Sequence, residues 1–218
     1  MTPISLKVRF KKAKSHKLTE RDIELLKFIN LFGFCEMPYL EQRFGLKKPR
    51  SYQVVNRLVE GGLVKHERVF HGRPGIYRLS PKGAQLTGLP RLVRVPLATY
   101  HHDITLIQVY LRLRVAYPQA DWISARSLLQ AKHADGVGRR GHLPDGVLVL
   151  EGGKQVAIEV ELTMKGRHRL EKILKSYAGA FDYGEVWYYC AANVAAAMRP
   201  LVEKLPFIKI YSVKEFLA

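Results

Sequence analysis

Three acidic residues in the second half of the chain, Asp145, Glu159 and Glu161, have types and spacing that could bind a divalent cation. Asp145 opens an apolar run at residues 146–150, and the two glutamates alternate with aliphatic residues in a second run at residues 156–162. Because successive side chains of a strand point to opposite faces, Glu159 and Glu161 project from the same face. A hairpin between the runs would bring Asp145 beside them, and three carboxylates that repel one another favour an ion such as Mg²⁺ or Mn²⁺. The alternative is that the glutamates lie on the solvated face of an edge hairpin.

The charge of the chain indicates a polyanionic partner. The 218 residues carry a net charge of +17, and the pI is near 10.0. Residues 1–100 contain 20 Lys and Arg against 7 Asp and Glu, a net charge of +13, whereas residues 101–218 contain 16 against 12, a net charge of +4. Nucleic acid is the simplest partner for such a surface. The uneven charge places the main contact in the first half.

The composition is that of a globular protein with room for one large domain or two small ones. Hydrophobic residues make up 47% of the chain, but no apolar run approaches the roughly 20 residues that span a bilayer, so we expect no membrane segment. Cys35 and Cys190 are far apart and lack metal-binding spacing. We expect them to be reduced, buried thiols in a cytoplasmic protein.

The first half has the pattern of three helices followed by a hairpin. Thr19 is the expected N-cap of a helix with apolar residues at helical spacing up to Gly33. A second helix is predicted at residues 37–44 and a third from about Pro49 to Glu60, each ended by glycine. Two short strands, at residues 63–70 and 76–79, flank a turn rich in glycine. This order predicts a winged helix-turn-helix domain at residues 1–88, which includes a basic N-terminal arm at residues 7–17.

This segment resembles the bacterial winged-helix DNA-binding domains, notably in Gly62-Leu63-Val64 and in residues 77–83 (YRLSPKG). In such domains the third helix enters the major groove, where Arg, Gln and Asn read base edges. The residues expected to do so are Arg50, Gln53, Asn56 and Arg57. The residues expected at the wing, near phosphate or the minor groove, are Arg68, His71 and Arg73. The alternatives are a solvated basic helix face and a winged helix that contacts only protein.

The second half reads as a separate α/β unit. A proline-bracketed basic linker at residues 89–98 precedes a domain predicted at residues 99–218. Its expected order is a helix, three strands, a helix and a strand (αβββαβ), with one more helix and strand at the end. A polar loop is expected at residues 132–141. The fold class is therefore α+β.

The order of these elements and the acidic motif resemble the PD-(D/E)XK endonuclease fold. In that family the aspartate and the first glutamate bind the metal ion, so Asp145 and Glu159 fall in the ligand positions. The family's lysine position is Glu161 here, and Lys165 or Lys172 would have to supply the missing cation. The resemblance implies Mg²⁺ or Mn²⁺ held by Asp145, Glu159 and Glu161.

Both halves together resemble the plasmid replication-relaxation family, which includes MobC-type mobilisation proteins. The motifs behind this are the winged helix, His102-Asp103-Ile104, Trp122-Ile123-Ser124, Pro144-Asp145-Gly146, the strand around Glu159, and Arg169, Lys172 and Tyr177. Family members often carry an acid where this chain has Ala125-Arg126. The resemblance implies a bacterial protein at plasmid or mobile-element DNA, working as a homodimer or with mobilisation or replication proteins.

Two functions follow from these patterns. In the first, the winged helix binds double-stranded DNA and the second domain nicks it with a metal ion, using Asp145, Glu159, Glu161 and Lys165 or Lys172. In the second, the nuclease-like domain is catalytically silent and serves dimerisation or DNA clamping, and the chain is a DNA-binding transcriptional regulator or an accessory protein. His101, His102 and Asp103 fit a helix start better than a ligand or proton-shuttle role, and His133, His142 and His168 lack metal-ligand spacing.

Overall fold

The computed structural model of the chain describes residues 17–134, 142–179 and 182–218, and this part is a mixed α+β protein with two sheets. The elements of the first half are α1 (Glu20–Phe32), β1 (Phe34–Glu36), α2 (Met37–Phe44), α3 (Arg50–Glu60), β2 (Val64–Glu67), β3 (Ile76–Leu79) and α4 (Pro81–Ala84). Those of the second half are a 3₁₀ turn at Leu97–Thr99, α5 (Tyr100–Ala116), β4 (Asp121–Ser124), α6 (Ala125–Ala134), β5 (Gly146–Val149), β6 (Gln155–Glu161), α7 (Arg167–Ala178), β7 (Glu185–Cys190), α8 (Ala192–Val202), β8 (Ile208–Ser212) and α9 (Val213–Leu217).

The three helices and two strands predicted for the first half are present, and local signals define several of their ends. Thr19 caps α1 in a capping box, in which its side chain accepts from the backbone N–H of Asp22 and the Asp22 carboxylate accepts from the backbone of Thr19. Gly33 ends α1 with a φ of 86°, a conformation that glycine adopts without strain. Strands β1 and β2 both pair antiparallel with β3, so β3 lies in the centre of a three-stranded sheet.

The second sheet has the order β4-β5-β6-β7-β8. Strands β4, β5 and β6 pair antiparallel, whereas β6, β7 and β8 pair parallel. Strand β6 is therefore central, and its glutamates, Glu159 and Glu161, are only 3% and 6% exposed. The alternative that they lie on the solvated face of an edge hairpin is wrong, because helices cover both faces of this sheet.

The two faces of the second sheet have separate apolar cores. Helices α7 and α8 pack on one face, against Ala157, Tyr188 and Cys190. Helices α5 and α9 pack on the other face, around Val160 and Tyr189. Alternation along the strands assigns Glu159 and Glu161 to the face beneath α7.

Helix α5 belongs to the cores of both halves. Its residues Tyr100, Ile104 and Ile107 pack into the core of the first half, whereas Leu106 and Val109 pack onto the second sheet. Such a helix is apolar nearly all round because it has a partner on each side. The connection at residues 89–98 contributes the buried Val95 to the first core, so it is part of the packed structure and not an extended linker.

Several elements differ from those that the sequence predicts. Helix α6 follows β4 directly and separates it from β5 in sequence. The order from α5 to β7 is therefore αβαββαβ, and the predicted order αβββαβ is wrong. The Ser124 hydroxyl accepts from the backbone N–H of Ser127 at 3.1 Å and starts this helix, a signal masked by the short apolar run before it. Strand β1 and the short helices α4 and α9 were not predicted either. In the predicted loop at residues 132–141, residues 135–141 lie outside the described part, as does the basic arm before Lys17.

Both cysteines are free and buried, as predicted. Within the described residues, no helix combines the length and apolar character needed to cross a bilayer.

Candidate functional sites

Glu159 is the most deeply buried of the three acids. Its Oε1 accepts a hydrogen bond from the Tyr177 hydroxyl of α7 and contacts Nε2 of His142, in the segment before β5. Burial raises the pKa of Glu159, and the negative charge of Asp145 raises it further, while His142 and Tyr177 act in the opposite direction. The Glu159 carboxyl is therefore shielded from water, and the adjacent His142 opposes the effect of burial on its pKa.

Asp145 lies at the start of β5 and points to a different partner. Its Oδ2 accepts from the backbone N–H of Val160 at 2.8 Å and contacts Nε2 of His102 at 3.0 Å. The other ring nitrogen of His102 contacts Asp103 at 3.1 Å. Burial lowers the pKa of His102, but the hydrogen bonds and charges of Asp103 and Asp145 outweigh burial and raise the pKa to about 10. His102 is thus an imidazolium between two carboxylates at neutral pH.

Glu161 forms an ion pair with Lys165, four residues later in the segment that leads into α7. Lys165 therefore lies where the sequence predicted a cation beside the acids. Lys172, the other predicted cation, is exposed on α7. His133 and His168 are also exposed, and Asp103 lies in the first turn of α5 with Thr99 as the N-cap.

Each of the three acids contacts a different basic side chain of the protein: Asp145 contacts His102, Glu159 contacts His142 and Glu161 contacts Lys165. Among the described residues, no three His, Cys, Asp or Glu side chains are grouped as ligands of one metal ion. In the arrangement seen here, a Mg²⁺ or Mn²⁺ ion bound by these acids would displace His142 and Lys165.

Sequence reasoning missed the roles of His102, His142 and Tyr177. Neither His102 nor His142 has a recognisable spacing to the acids. From the sequence, His102 indicates only the start of a helix, and His142 is an isolated histidine. Only the sheet brings the segment before β5, the start of α5 and the end of α7 to one place. A signal for Tyr177 existed in its position on the helix that follows the acidic strand.

The predicted recognition residues lie on α3, whose opposite face is buried. Arg50, Gln53 and Asn56 are exposed. Arg57 instead forms an ion pair with Asp22, which is fully buried. Burial alone would raise the pKa of Asp22, but hydrogen bonds from Thr19 and the charge of Arg57 lower it overall. Arg57 thus has a structural partner that its position on the helix did not reveal.

A second exposed group lies in the connection between β2 and β3, where Arg68, His71 and Arg73 are all solvent-accessible. Tyr52, not singled out from the sequence, is 41% exposed on α3, and Nζ of Lys48 lies 5.8 Å from its ring centroid. Lys48 is thus within cation–π distance of an exposed aromatic ring.

No protein-family model, no curated protein and no solved structure matches this chain.

Proposed function

We propose that the chain binds double-stranded DNA through α3 and the connection between β2 and β3. The observation that carries this proposal is the exposed polar face of α3. Arg50 lies at the first residue of the helix, and Gln53 and Asn56 follow on its exposed side. The order α1-β1-α2-α3-β2-β3, with β3 between β1 and β2, is that expected for a winged helix. Helix α3 would enter the major groove, and Arg68, His71 and Arg73 would contact the backbone or the minor groove.

The charge distribution supports the same assignment. The first half carries most of the net positive charge of the chain, and the exposed Lys47 and Lys48 precede α3 directly. Binding by such a surface depends on counterion release, so we expect affinity to fall steeply as salt increases. Arg57 is assigned to stabilising the fold through Asp22 and not to reading bases.

The test begins with selection of the preferred sequence from a pool of duplexes by binding to the full chain. The selected sequence and unselected duplex are then titrated by fluorescence anisotropy at several salt concentrations. Arg50→Ala should weaken the selected sequence by roughly 1–3 kcal/mol while leaving unselected duplex nearly unchanged. Arg68→Ala should weaken all duplexes alike and lower the salt slope by about 1. Lys204→Ala, an exposed lysine after α8, is the matched control and should change neither. Unchanged affinity after the combined loss of Arg50, Gln53 and Arg68 would remove the proposal.

For the second half, we propose a supporting role, either dimerisation or clamping of DNA. The acids are consistent with this role because each contacts a basic side chain of the protein, namely His102, His142 or Lys165. The second candidate is Mg²⁺- or Mn²⁺-dependent nicking. It is favoured by one observation, that Asp145 and Glu159 from neighbouring strands lie close enough for the charge of Asp145 to raise the Glu159 pKa.

Nicking of supercoiled plasmid in the presence of Mn²⁺ separates the two roles. The supporting role predicts no conversion to open circles by the full chain, even at concentrations that saturate the selected DNA. Conversion that disappears in both Asp145→Ala and Glu159→Ala, with DNA binding intact, would establish nicking instead. Conversion that persists in both variants would point to a contaminating nuclease.

The biological setting proposed from the resemblance is plasmid or mobile-element DNA in a bacterial cytoplasm. What supports it is the set of short motifs that runs through both halves, together with the basic first half. Partners would be a second copy of the chain or mobilisation and replication proteins. Size-exclusion chromatography with light scattering, with and without the selected duplex, tests the homodimer.

A further inference from the structure

A cavity of about 230 Å³ lies between the two halves of the chain, away from the α3 surface. Its walls come from α1, β1, the connection at residues 89–98, α5, and the start of α6. The apolar part of the wall is formed by Leu31, Phe32, Phe34, Leu92, Pro96 and Leu106. Since a cavity of roughly 150 Å³ holds benzene, this one has room for an aromatic ring with a short substituent.

One side of the cavity is polar, and most of its charges are already paired. His102, Asp103 and Asp145 line it. Asp103 accepts from Thr99 Oγ1 at 3.0 Å and contacts His102, which also contacts Asp145. Both ring nitrogens of His102 are thus used within this group. Its two carboxylates and one imidazolium leave one negative charge unbalanced, so the carboxylate of a ligand would have to bind elsewhere in the wall.

Arg126 also lines the cavity but, unlike His102, Asp103 and Asp145, it contacts neutral groups. Its Nε donates to the backbone carbonyl of Asn30 at 3.0 Å, and its Nη2 donates to the side-chain oxygen of Asn30 at 3.4 Å and to the carbonyl of Pro90. All of these acceptors are neutral, and no described carboxylate forms an ion pair with Arg126. Burial lowers its pKa, which is the expected effect on a partly desolvated cation without a counter-ion.

A partly desolvated guanidinium usually pairs with a carboxylate. Because Nε and Nη2 of Arg126 already donate to Asn30 and Pro90, a ligand carboxylate would accept from Nη1. Arg126 also lies in the first turn of α6, whose N-terminus adds a partial positive charge on the same side of the cavity. The wall therefore presents an apolar surface and one cationic end. A ligand with the opposite character, an apolar body and a carboxylate, is complementary to both.

We infer that this cavity binds a small organic acid, with a ring or branched aliphatic body against Phe32, Phe34 and Leu106 and its carboxylate on Arg126. Because both halves line the cavity, a bound acid would contact the DNA-binding half and the second half at once. If DNA binding changes the placement of the two halves around the cavity, the acid would bind the free and the DNA-bound chain differently and so change the affinity for DNA. This coupling rests on the proposed function, whereas acid binding does not.

The binding test uses the full chain without DNA and phenylacetate as the probe, titrated by isothermal calorimetry. Two isosteres serve as comparisons, the neutral 2-phenylethanol and the cationic phenethylamine. We expect phenylacetate to bind about tenfold or more tightly than either isostere, since a charge-assisted hydrogen bond to Arg126 is lost in both. Absence of phenylacetate binding up to about 10 mM, which is weaker than the usual range for a specific small ligand, or equal binding of phenethylamine, would overturn the inference.

Two variants locate the binding site. Arg126→Gln should weaken phenylacetate by about tenfold or more and leave 2-phenylethanol unchanged. Ala125→Leu should fill the cavity and abolish binding of both, while retaining Arg126. Arg94→Gln, an exposed arginine in the same connection as Leu92, is the control and should bind like the wild type. Thermal unfolding of each variant verifies the fold, and unchanged phenylacetate binding in folded Ala125→Leu would place the ligand elsewhere.

The coupling is measured separately, by DNA titration with and without saturating phenylacetate. A change in DNA affinity that Arg126→Gln removes would support it. An unchanged DNA affinity despite acid binding would refute the coupling alone. Failure of the proposed function itself appears in the titration without ligand, so the two failures are distinguishable.

Discussion

At the scale of single residues, the three acids show that burial affects which partners the side chains of an acidic motif have. Asp145, Glu159 and Glu161 were predicted to come together, and the structure places each beside a basic side chain of the protein. Burial of a carboxylate without a partner is costly, so a sequence that places acids on a central strand must also supply counter-charges. His102 and His142 come from elements distant in sequence from the acids that they contact, whereas Lys165 lies four residues after Glu161.

His102 makes the pH dependence of stability testable. Its pKa is raised from 6.5 to about 10 in the folded chain, so protonation stabilises the fold fully below pH 6.5, and this contribution is lost as the pH rises through about 10. Relative to His102→Gln, the wild type should lose up to about 1.4 kcal/mol of unfolding free energy per pH unit in that range. Urea unfolding at several pH values measures this difference. The exposed neighbour His101 provides the control His101→Gln, and parallel profiles for wild type and His102→Gln would contradict the expectation.

Arg57 and Arg50 provide a second comparison at this scale. Arg57→Ala leaves the buried Asp22 without its cation, so we expect a loss of about 1–3 kcal/mol of unfolding free energy. Arg50→Ala, on the exposed face of the same helix, should change stability by less than about 0.5 kcal/mol. Chemical denaturation measures both. Equal stabilities of the two variants would show that the Arg57–Asp22 pair does not support the fold.

At the scale of elements, the packing of β5 against β4 explains why Gly146 follows Asp145. A Cβ at this position would lie 2.1 Å from the ring of Trp122. That ring cannot move aside freely, since it packs against Phe32 and Tyr110 at centroid distances of 6.4 and 5.3 Å. The glycine in this motif is thus required by the neighbouring strand, independently of any chemistry at the acids.

Gly146→Ala should therefore destabilise the chain by about 1–3 kcal/mol, the usual cost of overpacking a core. Gly179→Ala is the matched control, because that glycine has a φ of −97° and an added Cβ would lie 3.8 Å from the nearest atom, an ordinary van der Waals contact. Thermal unfolding of the two variants measures the difference. If Gly146→Ala left the melting temperature unchanged, the Trp122 indole would be able to shift without cost, and the contact with Trp122 would not require glycine at residue 146.

At the scale of the whole molecule, α5 joins the two halves that the sequence divided at residues 89–98. Because Tyr100, Ile104 and Ile107 complete the first core, a boundary before α5 would expose that core to water. The same helix covers one face of the second sheet. Arg126 reinforces the connection through its bonds to Asn30 and Pro90.

Two fragments test this connection. A fragment of residues 1–98 lacks α5, and we expect it to bind 8-anilinonaphthalene-1-sulfonate and to melt without a cooperative transition. A fragment of residues 1–117 retains α5 and should recover a cooperative transition, monitored by circular dichroism. If the shorter fragment melts as sharply as the full chain, the first half folds without α5 and the division predicted from the sequence is adequate.

The sequence by itself determined most local structure. Helix α2 and strand β3 have the predicted bounds, and the cap at Thr19, the glycine stops and the period-two alternation in β6 are signals that act over a few residues. Helix α6 was missed because its start depends on a Ser124 side chain placed at the end of a strand. Local pattern also placed Glu159 and Glu161 on one face, and to that extent it predicted the acidic site.

Only the tertiary structure decided what surrounds those acids. His102, His142 and Tyr177 reach Asp145 and Glu159 across separations of 17 to 43 residues. The cavity beside Arg126 likewise exists only because α1, α5 and α6 meet there. The physical reason is that alternation and helical period fix directions within one element, whereas the identity of a buried charge's partner depends on how separate elements pack.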